Sequence, residues 1–172
     1  TASIAGFELL VDGYAADDFV FGPEDFVLLD SDNEPVSGVT ATYSDGRWLF
    51  IGPLVGNRWY TIQPGDGLDG IRFTDSEGAP FRFYVPRGDV AVTVENRDFD
   101  MVLLMDPAAP GLTGDHIKIE SHPGMEYTVT MQENGAKYVV SADFDPGTEY
   151  ILTIEHDGYH FNGQTGLELR KV

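Results

Sequence analysis

Twenty-nine carboxylates against ten lysines and arginines dominate the chemistry open to this chain. Three acidic clusters stand out: Asp30-Ser31-Asp32-Asn33-Glu34, Asp17 with Asp18, and Asp143 with Asp145. Hard oxygen ligands in such density suit Ca²⁺, which takes about six to eight of them. The first cluster opens like an EF-hand loop but does not continue as one. That loop needs Gly at its sixth position and an acid at its twelfth, where this chain has Pro35 and Ala41. A looser site could still draw Asp30, Asp32, Asp143 and Asp145 to Ca²⁺. A solvated turn is the better reading of each cluster.

His156 and His160 have the spacing that places two rings on one face of a helix. Gly158 between them and the strand-like flanks argue for a loop, which weakens a zinc reading. No serine sits in a Gly-x-Ser-x-Gly turn, so acyl-transfer chemistry has no visible nucleophile. Pairs of acids could in principle serve glycoside cleavage, but units of some 85 residues leave little room for a deep cleft. We expect no enzyme. The aromatics Trp48, Phe50, Trp59 and Tyr60 are a different resource. Trp48 and Phe50 share one face of a strand and should be core. Trp59 alternates with Tyr60, so Trp59 should face solvent. There its ring could stack on a sugar, making Trp59 the candidate ligand contact.

The net charge of −19 is split almost evenly between the two halves. That balance argues against nucleic acid, which is bound by placing Lys and Arg on phosphates. Cysteine is absent, which removes disulfides, thiolate catalysis and Cys-based zinc sites. No apolar run reaches the length of a membrane-spanning helix, so no membrane insertion is expected. The chain begins at Thr1 without a charged-then-apolar leader, so any signal peptide should be already removed or lie outside it.

The elements that must position these residues read as strands. Tyr150, Leu152 and Ile154 alternate with Ile151, Thr153 and Glu155 after the turn Asp145-Pro146-Gly147. Leu54 to Ile62 echoes this phrase: Tyr60 follows Leu54 by the same six steps that separate Tyr150 from Phe144. Asp45-Gly46 and Asn134-Gly135 mark two hairpins at nearly the same offset. We expect strands over residues 4–11, 26–29, 39–43, 47–51 and 54–62, with 71–73 and 81–85 pairing as a hairpin. A second set should cover 90–94, 99–105, 117–119, 127–131, 138–140, 150–154 and 167–170. Residues 14–25, 63–70, 106–115 and 157–166 read as loop, with Phe19 and Phe21 as anchors in the first. No segment carries the apolar spacing and caps of a three-turn helix. The reading is all-β: two tandem antiparallel sandwiches, residues 1–87 and 88–172, joined at Pro86-Arg87-Gly88. Tyr60 and Tyr150 occupy the place of a tyrosine corner, where the hydroxyl returns to backbone a few residues upstream and pins a crossover.

In Phe26-Val27-Leu28-Leu29, Asp45-Gly46, Leu54…Tyr60-Thr61-Ile62, Ile117…Ile119, Asn134-Gly135 and Phe144…Tyr150…Thr153-Ile154 the chain resembles bacterial immunoglobulin-like domains. The phrase around Tyr150 is also similar to fibronectin type III domains. The resemblance implies a non-catalytic structural or adhesive module of a larger secreted or cell-surface protein. Its partners would be neighbouring domains of the same polypeptide, a glycan, or another surface protein. Two alternatives stay open: a carbohydrate-binding module that Ca²⁺ could stabilise, and a segment of a macroglobulin-like chain.

Overall fold

The computed structural model describes residues 2–10, 22–45, 47–68, 70–97 and 100–162, and the backbone of 167–170. Asp17, Asp18, Phe19, Phe21, Val11, Gly46 and Phe99 lie outside the described residues. The chain is all-β and divides into two compact units, Thr1–Pro86 and Arg87–Val172. Among the described residues no helix is long and apolar enough to cross a membrane.

Among its described residues the first unit has β1 (Ala2–Ser3), β2 (Gly6–Leu9), β3 (Phe26–Leu29), β4 (Thr40–Ser44), β5 (Arg47–Ile51), β6 (Arg58–Pro64) and β7 (Arg82–Val85). They form a four-stranded sheet in the order β1-β2-β5-β4 and a three-stranded sheet in the order β3-β6-β7, antiparallel throughout. Period-two alternation sets the inward faces. Phe7 and Leu9 of β2, Trp48 and Phe50 of β5, and Tyr60 and Ile62 of β6 are buried. The sheets meet through rings. Phe7 lies 4.2 Å from Phe83 of β7, and Phe26 of β3 lies 4.8 Å from Trp48, centroid to centroid. This packing is sandwich-like.

The second unit has β8 (Gly88–Asn96), β9 (Asp100–Asp106), β10 (Ile117–Ile119), β11 (Tyr127–Gln132), β12 (Lys137–Ala142), β13 (Glu149–Ile154), β14 (Tyr159–Asn162) and β15 (Leu167–Arg170). Its sheets run β11-β12-β9-β8-β14 and β10-β13-β15. β9 is nearly continuously apolar, and Met101, Val102, Leu103 and Met105 are all buried, as expected of a strand covered on both faces.

Three expectations need correction. Residues 157–166 are not all loop, because Tyr159–Asn162 is a strand. It also breaks the antiparallel rule: β14 pairs with β8 in parallel, Tyr159 opposite Gly88. Tyr159 and Phe161 supply the cause, alternating into the core while His160 and Asn162 face out. Arg82–Val85 pairs with β6, not with 71–73; of that hairpin there remain the Thr74–Pro80 bridge and the bonds from the Phe81 N–H to the Phe73 carbonyl (3.0 Å) and from the Asp75 N–H to the Ala79 carbonyl (2.9 Å). Residues 4–11 do not form one strand, since the chain turns at Ile4-Ala5 between β1 and β2.

Candidate functional site

The side chains with specific chemistry fall into structural and exposed groups. Tyr60 points inward from β6 and is 2% exposed. Its hydroxyl accepts from the Val55 N–H (2.9 Å) and donates to the Val55 carbonyl (3.1 Å). Burial raises its pKa above the ordinary tyrosine value; the Val55 bond opposes that, and the charge of Asp30 adds to it. In the second unit the Tyr150 hydroxyl accepts from the Asp145 N–H at 2.8 Å, again five residues upstream. Phe144 packs edge-on against the Tyr150 ring (4.9 Å) and His122 lies over it (4.6 Å). Both hydroxyls are committed to backbone.

Tyr138, Tyr127 and Tyr159 do similar work, the last donating to the Pro110 carbonyl at 2.8 Å. The Tyr138 hydroxyl donates to the Ala109 carbonyl (2.6 Å) and accepts from the Leu112 N–H (3.3 Å), and burial raises its pKa. Tyr127 reaches the carbonyls of Ile117 (2.9 Å) and Gly114 (3.1 Å), and burial raises its pKa as well. Their partners are 10 to 49 residues away, so no local motif announces them.

The acidic candidates divide between the units. Asp30 Oδ1 accepts the N–H groups of Asp32 (2.8 Å) and Glu34 (2.9 Å), so this carboxylate closes its own turn. Asp32 is exposed in that turn. Asp75 does the same for Glu77 and Ala79. Asp145 contributes its backbone to the Tyr150 corner, and Asp143 borders an open depression with Asp100, Glu126 and Ser141. Among the described residues no group of three or more His, Asp or Glu is arranged to hold a metal ion.

The histidines are partnered locally. His156 Nδ1 accepts from the Gly158 N–H at 2.9 Å and lies 3.4 Å from Asp157 Oδ1. The first contact needs a neutral Nδ1 and the second a protonated one. His156 neighbours His116, ring to ring at 4.7 Å, and His116 Nδ1 accepts from Thr113 (3.1 Å). His160 faces outward on β14. Ser121 Oγ sits 2.8 Å from His122 Nδ1, but the same oxygen accepts the Ile151 N–H, so it closes the sheet edge.

The outer face of β6 and β7 is different. Trp48 is 6% exposed, whereas Trp59 is 48% exposed. Trp59 stands directly opposite Tyr84 of β7, which is 41% exposed, their rings 5.5 Å apart. The Arg82 guanidinium lies 5.4 Å from the Trp59 ring centre. The Tyr84 hydroxyl donates to Asn57 Oδ1. Sequence reasoning found Trp59 and missed Tyr84 and Arg82, because their strand was paired with the wrong neighbour.

No family model matches the chain, and no curated protein matches its sequence.

Proposed function

We propose that the chain is a non-catalytic structural or adhesive module of a larger secreted or cell-surface bacterial protein, built from two tandem immunoglobulin-like sandwiches. One observation carries the reading. In the first unit the order β1-β2-β5-β4 with β3-β6-β7 corresponds to the ABED and CFG sheets of a constant-type immunoglobulin domain. The second unit repeats it as β8-β9-β12-β11 with β10-β13-β15, adding β14 beside β8. In both, the middle strand of the three-stranded sheet, equivalent to strand F, carries the tyrosine whose hydroxyl binds backbone five residues upstream. Such a scaffold positions other domains or presents a surface. Protease shaving of intact producer cells tests the placement. Peptides from both units should be released before lysis; their appearance only after lysis would contradict the reading. The alternative of a carbohydrate-binding module is favoured by one observation, the exposed Trp59–Tyr84 pair.

A further inference from the structure

The three-stranded sheet of the first unit has an unusual charge balance. In a chain with 29 acids, β3, β6 and β7 contain Arg58 and Arg82 and not one carboxylate. Register places Trp59, Thr61 and Gln63 of β6, and Arg82 and Tyr84 of β7, on one face. Among the described residues Arg82 has no carboxylate partner; its guanidinium rests only against the Trp59 ring. A pair of exposed rings beside a guanidinium that, among the described residues, meets no carboxylate sets this face apart from the rest of an acidic surface.

We propose that Trp59, Tyr84 and Arg82 form a binding face for an acidic polysaccharide, its pyranose ring stacked on the aromatic pair and its carboxylate paired with Arg82. The C–H face of a pyranose is apolar and complements the π-face of indole and phenol rings. A guanidinium offers a carboxylate two parallel donors. The Tyr84 hydroxyl donates to Asn57 Oδ1, which fixes the phenol beside Trp59. A neutral glycan would use the rings and leave the charge of Arg82 unused. The inference rests on the surface-module reading and names a partner class for it.

The test is isothermal titration calorimetry of the full chain with oligogalacturonate and with a neutral maltooligosaccharide of equal length. Saturable heat is expected with the acidic sugar, at least about tenfold tighter than with the neutral one and weakened by salt. Arg82→Gln should cost about tenfold or more, and Trp59→Ala should abolish binding, with neither variant losing its cooperative thermal melt. Absence of saturable binding, equal affinity for the neutral sugar, or an Arg82→Gln variant that binds like the parent would each overturn the proposal. So would variants that lose their melt without any binding having been measured in the parent, since that marks a purely structural cluster. Any of these failures with both units still released by cell shaving would remove the ligand and leave the module.

Discussion

A tyrosine hydroxyl that binds backbone is worth most where that backbone has no other partner. Tyr60 satisfies both the N–H and the carbonyl of Val55. Tyr60→Phe keeps the ring and deletes both bonds, so it should cost about 1–3 kcal/mol in urea unfolding. The same hydroxyl sets a pH dependence. Its folded pKa lies above the unfolded value of 10.0, because burial disfavours the phenolate. The contribution is therefore complete below pH 10.0 and is lost as pH rises through the folded value. Tyr138 and Tyr127, raised for the same cause, act in the same direction. Urea midpoints measured from pH 8 to 11 should fall at the alkaline end, and fall less steeply in Tyr60→Phe. The corner residues were legible because the motif is local, six steps from an apolar anchor to the tyrosine. Tyr138 was not, because its partners Ala109 and Leu112 come from a distant loop.

At the scale of elements, turn chemistry decides how the second unit closes. Gly135 follows β11 with φ of +91°, a conformation that L side chains avoid. A Cβ there would come within 2.5 Å of the Pro110 nitrogen, backbone that cannot swing aside. Gly135 also accepts the Ala109 N–H at 2.9 Å, the loop whose carbonyl Tyr138 holds. Gly135→Ala should therefore cost at least about 1–3 kcal/mol and loosen the 106–112 loop, read as lost amide protection at Ala109. Most strands were legible from alternation, as in β5, where Trp48 and Phe50 turn in and Arg47, Leu49 and Ile51 turn out. The failures share a cause. Short segments such as β7 and β14 give two inward residues each, too few to fix a partner. β14 in addition pairs in parallel with a strand some seventy positions earlier, and no turn motif records that.

For the whole molecule, each unit has its own set of buried side chains: Leu54, Ile62 and Val85 in the first, Leu103, Ile117, Leu152 and Ile154 in the second. A unit with its own core should fold alone. Residues 1–86 and 87–172, produced separately, are expected to give cooperative melts and β-type circular dichroism. The surface charge of −19, spread over both halves, should keep each soluble near neutral pH. The tyrosine phrase and the hairpin turns recur at nearly the same offset, and that spacing is what pointed to two units. The Trp59–Tyr84–Arg82 face was legible only in part, since cross-strand neighbours depend on register and not on sequence spacing. In each unit a tyrosine hydroxyl binds backbone five residues upstream. Native-state amide exchange on the full chain, parent against Tyr60→Phe, addresses that most directly. The Val55 and Asp145 amides should both be protected in the parent, and the variant should lose protection at Val55 while Asp145 keeps it. Free exchange at either amide in the parent, or unchanged protection at Val55 in the variant, would contradict that bonding.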